Sequence, residues 1–235
     1  MRTERFLVNG LEVAAQFDSR DIDRIYIPLL QALADMQKQR SRRIVCFLAG
    51  PPASGKSTLC LFLERLGREM QLNVQSAGID GFHYPQAYLD SHFIGDLPLA
   101  RIKGAPETYD VAALDAHLAQ VQGDIAFPIY DRRIHNPVQN ALRITGDILI
   151  LEGNWLLLDE KPWNALPCDY SVFLGLDDAA QLERIVRRKM AGGFSEADAR
   201  RMVETNDRAN ILRCMENHRR ADLNIRRGRD GLEVY

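Results

Sequence analysis

The chain has 235 residues, of which 46% are hydrophobic and 26% are charged, and its formal net charge is -2. This length suits one α/β domain with a large apolar core, with or without a small lid. A nearly neutral balance argues against a nucleic acid or a membrane surface as the main partner, and no apolar stretch reaches membrane-spanning length. Four cysteines without C-x-x-C spacing indicate reduced core thiols, so we expect a cytoplasmic protein.

The N-terminal residues predict a β-hairpin followed by a helix. The pair Asn9-Gly10 stands between two strand-like runs, which is a strong short-range signal for a hairpin. Apolar residues then recur at helical spacing over residues 22–36, with Pro28 marking either a kink or the first turn. We expect this helix to pack on a sheet rather than to bind a partner. The predicted division is an extension at residues 1–41 and a main domain at residues 42–235.

A glycine-rich segment follows the next predicted strand. The segment Gly50-Pro-Pro-Ala-Ser-Gly-Lys-Ser57 matches the pattern G-x-x-x-x-G-K-[ST] at every specified position. A buried strand precedes it and a helix follows it, as a phosphate-binding loop (P-loop) requires; the alternative is an ordinary glycine turn. Lys56 is expected to reach the β- and γ-phosphates of ATP, and the Ser57 hydroxyl to hold Mg²⁺. The candidate nucleotide contacts are Gly50, Pro51, Pro52, Ala53, Ser54, Gly55, Lys56, Ser57 and Thr58.

A second predicted strand, residues 72–79, ends in the segment Asp80-Gly-Phe-His-Tyr-Pro85. Residues just past the carboxyl ends of parallel strands line the ligand crevice of an open α/β sheet. Asp80 is therefore placed to take the proton from an attacking alcohol, with a capping or turn role as the alternative. His83 and Tyr84 are candidate contacts to that alcohol, or else packed loop side chains.

Further motifs strengthen this interpretation when they are taken together. They are the P-loop, the Asp80 segment, Lys103-Gly-Ala-Pro-Glu-Thr-Tyr-Asp110, Pro128-Ile-Tyr-Asp131 and Asp147-Ile-Leu-Ile-Leu-Glu-Gly153. This set resembles the phosphoribulokinase/uridine kinase family, nearest to its pantothenate kinase-like and bacterial fructokinase-like members. The resemblance covers about residues 43–226. It implies ATP-dependent phosphorylation of a hydroxyl group on a small metabolite, with Asp80 as the catalytic aspartate, and leaves the metabolite open.

A basic loop follows another short predicted strand, residues 124–130. The segment Asp131-Arg-Arg-Ile-His-Asn-Pro137 carries side chains that suit an anionic or polyhydroxylated ligand. In the family the equivalent loop lies over the acceptor, so the resemblance implies substrate contacts here. The candidates are Tyr130, Arg132, Arg133 and His135.

A second acidic candidate ends an apolar run. The run Asp147-Ile-Leu-Ile-Leu151 predicts a buried strand, and Glu152 follows it directly. A carboxylate at this position orients Mg²⁺ or its waters beside the P-loop serine. An acid at the end of such a strand would be costly to bury without a role, so we expect Glu152 to help hold the metal.

Two basic helical patterns follow, joined by Gly192-Gly193. They resemble the lid that such kinases close over ATP, at about residues 187–213, and closure would bring arginines to the transferring phosphoryl group. A solvated helix face is the alternative. The candidate arginines are Arg184, Arg188 and Arg200, with Arg188 taken as the catalytic one.

The sequence thus predicts a P-loop three-layer α/β sandwich with a central, mostly parallel sheet and a helical lid. The predicted reaction is transfer from MgATP to a small-molecule acceptor, namely a sugar such as fructose, a pantothenate-like alcohol or a nucleoside. A switch GTPase is disfavoured because no N-K-x-D motif is present, and a regulatory or assembly ATPase remains the alternative. The oligomeric state is left open, a homodimer included.

Overall fold

The computed structural model describes residues 1–8, 10–175, 178–227 and 231–235, so Asn9 of the predicted turn lies outside the described residues. The strands are β1 (Arg2–Val8), β2 (Leu11–Phe17), β3 (Ile44–Ala49), β4 (Val74–Gly78), β5 (Phe93–Ile94), β6 (Leu97–Pro98), β7 (Ala126–Asp131), β8 (Asn136–Arg143), β9 (Ile148–Gly153), β10 (Tyr170–Gly175), β11 (Leu223–Arg227) and β12 (Leu232–Val234). The helices are α1 (Ser19–Asp21), α2 (Ile27–Arg40), α3 (Lys56–Glu69), α4 (Gln86–Ser91), α5 (Val111–Gln120), α6 (Asp178–Ala191), α7 (Glu196–Met202) and α8 (Arg208–Glu216).

The central sheet has the strand order β12-β11-β10-β3-β9-β4. The neighbouring strands that the structure describes in this sheet run parallel, except that β12 runs antiparallel to β11. Strand β3 is buried along its whole length, as expected for an apolar strand that is covered on both faces. Two apolar clusters, one on each side of the sheet, make up the core. The predicted mostly parallel α/β sandwich is therefore confirmed.

The register of the sheet aligns the ends of three strands. Glu152 on β9 pairs with Leu48 on β3 and with Gly78 on β4, so β9 lies between the two strands that carry the predicted motifs. The residues that follow β3 and β4 consequently emerge at the same edge of the sheet, on either side of Glu152. This edge holds the candidate site.

The N-terminal hairpin forms as predicted, with strand pairing that runs from Arg2 opposite Phe17 to Val8 opposite Leu11. A π-helical turn, Ile22–Tyr26, leads into α2, and Pro28 lies in the first turn of α2, where its missing N–H does least harm. Apolar side chains of the hairpin and of α2 share one cluster with β3 and α3. The division of the chain at residue 41 stays a prediction.

A separate hairpin, β7 with β8, lies outside the central sheet. The predicted strand at residues 124–130 corresponds to β7, but the sequence interpretation missed β8, because its residues are mostly exposed and lack apolar alternation. The hairpin packs directly on the backbone of Gly81, where any Cβ atom would overlap the Pro128 carbonyl group. The β7–β8 hairpin is thus held against the residue next to Asp80.

The predicted lid region is a helical unit with its own small core. Helices α6, α7 and α8 extend beyond the predicted limits of 187 and 213, and a π-helical turn, Val203–Asp207, joins α7 to α8. Buried apolar residues of this unit form one cluster, against which Ala53 of the P-loop packs, whereas Cys214 of α8 belongs to the main core. Within the described residues, no helix is long and apolar enough to cross a membrane.

Candidate active site

The P-loop owes its shape to two glycines. A Cβ atom at Gly50 would overlap the carbonyl oxygen of Leu174, and Gly55 adopts a φ of 94°, which disfavours any other residue. Helix α3 begins at the next residue, Lys56, so its N-terminal amides face the loop. The positive end of the helix dipole and these amides together favour a phosphate group.

The Lys56 ammonium group is buried inside this loop, with the residue only 6% exposed. Its Nζ donates hydrogen bonds to the carbonyl oxygens of Gly50 (2.8 Å) and Pro51 (2.9 Å) and to Oδ1 of Asn154 (2.9 Å). These acceptors are neutral, so they orient the cation without cancelling its charge. The positive charge therefore lies where a phosphate chain would bind.

Ser57 and Glu152 are in direct contact. The Ser57 hydroxyl donates a hydrogen bond to Oε1 of Glu152 at 2.7 Å. Burial raises the pKa of Glu152 above its usual value, and attraction by the Lys56 ammonium group only partly opposes that rise. A carboxylate that is buried at such a cost is typical of a functional position.

These two side chains fit a magnesium ion. A hydroxyl and a carboxylate are the hard oxygen donors that Mg²⁺ prefers. Among the described residues no group of three or more His, Cys, Asp or Glu side chains is placed to hold a metal ion. An ion at Ser57 and Glu152 would therefore take water or phosphate oxygens as further ligands.

Asp80 follows β4 and faces the same cleft. Its Oδ1 accepts a hydrogen bond from the Tyr109 hydroxyl at 3.4 Å, and its Oδ2 lies 3.3 Å from an Arg132 guanidinium nitrogen. Burial, followed by the neighbouring Asp80 charge, holds the pKa of Tyr109 well above its usual value, so this phenol is a neutral donor. Asp80 thus has a fixed neighbour on one side and a cation on the other.

The cleft in front of these groups has a volume of about 250 Å³. Of the predicted site residues it brings together Ser57, Asp80, Tyr130, Arg132 and Glu152. Its other lining residues are Leu7, Val8, Cys60, Leu61, Ser76, Ala77, Gly78, Gly81, Pro128, Ile129 and Leu142. The β7–β8 hairpin, α3, β4 and the N-terminal hairpin all contribute walls.

His83 and Tyr84 lie beside the cleft rather than in its lining. The His83 ring packs against Tyr109 at 3.8 Å, its Nδ1 lies 2.9 Å from the Asp80 carbonyl oxygen, and burial lowers its pKa. His83 therefore supports the turn that carries Asp80. Tyr84 stacks on Tyr88 and lines a different cavity of about 290 Å³.

The basic loop divides into residues inside and outside the cleft. Tyr130 and Arg132 line the cleft, whereas Arg133 is exposed and pairs with Asp131 at 2.6 Å. His135 does not line the cleft, and its carbonyl oxygen accepts a hydrogen bond from Lys103 Nζ at 3.2 Å. The structure thus does not bring Arg133 or His135 together with Asp80, because the tight turn of the hairpin points neighbouring side chains in different directions.

The predicted lid arginines are only partly described. Arg200 pairs with Glu196 at 2.8 Å and with Glu183 at 3.5 Å, so its contacts lie within the helical unit. Arg184 lies on the exposed side of α6. The side chain of Arg188, the predicted catalytic arginine, lies outside the described residues, and its role stays a prediction.

Two residues that contact Asp80 and Lys56 have little or no support in the sequence as site residues. Tyr109 contacts Asp80, but its place before the α5 cap, Asp110, suggested only a helix boundary. Asn154 holds Lys56, and its carbonyl oxygen accepts the Cys214 thiol of α8 at 3.1 Å. Their position in the sequence could have identified them, since both residues lie within or next to motifs that carry the family resemblance.

Comparison with known proteins places this site in a family, although no family model matches the chain. The chain is 41% identical over 230 residues to "Uncharacterized protein YggC" of Escherichia coli strain K12, and the match covers 95% of each chain. It is 32% identical over 219 residues to "Putative uridine kinase C227.14" of Schizosaccharomyces pombe, over 85% of this chain and 88% of that protein. A pantothenate kinase of Enterococcus faecalis is 30% identical over 75% of this chain and 64% of its own length.

Solved structures of kinases also resemble this chain in fold. A "putative fructose transport system kinase" from Silicibacter sp. TM1040 superposes with a TM-score of 0.77 at 28% identity, over 85% of this chain and 98% of that one. A D-glycerate 3-kinase from Cryptococcus neoformans has a TM-score of 0.63 at 13% identity, over 90% of this chain and 99% of that one, and this likeness shows the fold alone. The chain belongs to the uridine kinase and phosphoribulokinase family of P-loop kinases.

Proposed function

We propose that this protein transfers the γ-phosphoryl group of ATP to a hydroxyl group of a small metabolite. The observation that carries the proposal is the register of β3, β9 and β4, which sets the P-loop, Glu152 and Asp80 at one edge of the sheet. Ser57, the last residue of the P-loop motif, lines one cleft together with Asp80. A phosphate site next to a carboxylate is what in-line transfer to an alcohol requires.

The donor half of the site acts through positioning and charge. The amides of the P-loop and the N-terminus of α3 bind the phosphate chain, and Lys56 neutralises charge that develops on the transferring group. Ser57 and Glu152 would hold Mg²⁺, which when bound would neutralise phosphate charge and orient the leaving group. The Lys56 contact with Asn154 holds the ammonium group in place before ATP arrives.

The acceptor half acts through Asp80. Its carboxylate takes the proton of the acceptor hydroxyl as the acceptor oxygen forms a bond to the γ-phosphorus. The bond between that phosphorus and the β-γ bridging oxygen breaks, and ADP leaves with the bonding electrons. Tyr109 and Arg132 orient the carboxylate from opposite sides. No covalent phosphoenzyme is needed.

The helical unit α6–α8 is proposed to close over the nucleotide. Its contact with the P-loop is made through Ala53, and α8 reaches Asn154 through the Cys214 thiol. Closure would exclude water from the transferring phosphoryl group and so limit hydrolysis of ATP.

The relatives are named for uridine, pantothenate and fructose, so these are the acceptors to test first. We expect ADP release to rise when one of these acceptors is added to the protein with MgATP. A regulatory ATPase would instead hydrolyse ATP at the same rate with and without an acceptor.

The test of mechanism is Asp80→Asn. We expect kcat to fall about 100- to 1000-fold, as for loss of a general base, while the KM for ATP changes little. Asp90→Asn is a matched control, because Asp90 is exposed on α4 and contacts Gln86. Equal activity in wild type and Asp80→Asn would remove Asp80 from its proposed role.

A further inference from the structure

We propose that Leu7 and Val8, at the end of β1 in the N-terminal hairpin, form one wall of the acceptor cleft, and that the acceptor carries an apolar group beside its reactive hydroxyl. This inference rests on the proposed kinase function. The hairpin precedes the region, about residues 43–226, that carries the family motifs, so this contribution does not follow from them.

The lining of the cleft has a polar part and an apolar part. The polar part includes Ser57, Asp80, Arg132 and Glu152, which are the groups assigned to phosphoryl transfer. The apolar part includes the side chains of Leu7, Val8, Leu61, Ile129 and Leu142. An acceptor whose hydroxyl reaches Asp80 therefore shares the cleft with apolar walls.

The hairpin is fixed to the helix that starts at the P-loop. Arg2 pairs with Glu69 of α3 at 2.5 Å, and Arg65 of α3 pairs with Glu4. Phe17 of β2 stacks on Phe62 of α3 with ring centroids 3.7 Å apart. Because α3 also carries Ser57 at its first turn, the hairpin is anchored to the same helix as the hydroxyl proposed to hold the metal.

Two of the apolar lining residues are exposed. Leu7 is 68% exposed and Ile129 is 41% exposed, on different hairpins that line one cleft. Single exposed apolar side chains are common on protein surfaces, but here two share a cleft with the proposed catalytic carboxylate. Covering them with an apolar part of the acceptor removes apolar area from water and strengthens binding.

Charge narrows the acceptor further. Arg132 is the cationic side chain in the described lining, and it already contacts Asp80. A phosphate group on the acceptor would therefore have no second cation of the described lining to pair with. The geometry points to a small hydroxyl compound with methyl or methylene groups, rather than a phosphorylated or fully hydroxylated one.

The experiment uses the full chain, MgATP and four probes: pantothenate, uridine, fructose and D-glycerate. Pantothenate has two methyl groups on the carbon next to its hydroxymethyl group, whereas fructose has an oxygen on every carbon. We expect pantothenate to give a higher kcat/KM than fructose. In Leu7→Asp the acceptor KM should rise about tenfold, because a carboxylate replaces apolar contact area.

Thr3→Asp is the matched control. Thr3 is exposed on the same strand and the same face as Leu7, outside the cleft, so the acceptor KM should stay unchanged. The KM for ATP should stay within about twofold of wild type in both variants, since α3 is untouched. The Leu7→Met variant should have the same acceptor KM as wild type, because methionine keeps the apolar contact. This comparison separates loss of apolar contact from a general effect of substituting Leu7.

An unchanged acceptor KM in Leu7→Asp, or a clear preference for fructose, uridine or D-glycerate over pantothenate, would overturn this inference and leave the kinase function standing. If the protein binds ATP but no probe stimulates ADP release, the proposed function and this inference both fail.

Discussion

The proposed phosphate half of the site is buried in the P-loop, whereas the proposed acceptor half lies on exposed turns. Lys56 is enclosed by backbone carbonyl groups and Asn154, while the side chains of Asp80 and Arg132 are 46% and 45% exposed. In the proposed reaction the first half binds a group that every ATP-dependent kinase shares, and backbone atoms do most of that work. The second half would select one alcohol, and its cleft is lined by residues of the N-terminal hairpin, α3, β4 and the β7–β8 hairpin.

This contrast predicts that changes in the buried half abolish the reaction, and that changes in the exposed half, apart from the proposed base Asp80 itself, adjust it. The largest effect is expected for Lys56→Met, which removes the buried cation but keeps most of the side-chain volume. The value of kcat/KM should fall about 1000-fold, because a charge that acts in a buried site stabilises the transition state strongly. ADP release with a saturating acceptor measures it.

Lys38→Met is the control for that variant, since Lys38 is exposed on α2 and far along the chain from the loop. A melting temperature near that of wild type would show that Lys56→Met remains folded. A folded Lys56→Met protein with more than a tenth of wild-type kcat/KM would contradict the assignment.

A smaller effect is expected for Glu152→Gln. The Mg²⁺ concentration needed for half-maximal rate should rise, and kcat/KM should fall about 100-fold, because an amide replaces a charged metal ligand. The free protein should nevertheless be no less stable than wild type at neutral pH. Burial raises the folded-state pKa of Glu152, so its stabilising contribution exists at acid pH and is lost as the pH rises through that pKa.

Glu160→Gln should change the pH dependence of folding stability in the opposite direction. Arg213 lowers the pKa of Glu160, so this carboxylate stabilises the fold above its unfolded-state pKa, and the contribution is lost as the pH falls through the folded one. Thermal unfolding at neutral and at acid pH should therefore rank the two variants differently. A Glu152→Gln protein that melts below wild type at neutral pH would refute the burial argument.

The smallest effect is expected in the exposed half, for Tyr109→Phe. The phenyl ring keeps its packing against His83 and Trp163, and only the hydroxyl contact with Asp80 is lost. We expect kcat to fall about three- to tenfold, in line with one hydrogen bond, with no change in the KM for ATP. Tyr88→Phe, which leaves the Asp80 contact intact, should match wild type; a kcat effect of equal size there would show that the Tyr109 contact is irrelevant.

The same contrast explains what the sequence could predict. The P-loop and the position of Glu152 follow from local patterns, because a buried strand, its end and a glycine loop are adjacent in the chain. The contact between Tyr109 and Asp80 joins residues 29 positions apart, and no periodicity encodes it. Arg132 and Arg133 are neighbours in one basic loop, yet only the hairpin geometry decides that the first lines the cleft and the second pairs with Asp131.

The predicted lid region shows the same limit. Two basic helical patterns joined by Gly192-Gly193 predict its helices, and α6–α8 are present. Which arginine acts depends on how those helices lie against the P-loop, which sequence spacing does not determine. Arg200 illustrates this, because it carries the expected charge but contacts Glu196 and Glu183 within its own unit.

The close packing of Pro128 on Gly81 has a consequence for inhibition. The backbone next to Asp80 has no side chain to act as a spacer, so the β7–β8 hairpin packs directly on the turn that carries the carboxylate. An alcohol too bulky to lie beneath that hairpin would lift it and draw Asp80 away from the phosphorus. Such oversized analogues should behave as dead-end competitive inhibitors rather than as slow substrates, and they offer a route to blocking the enzyme without competing with cellular ATP.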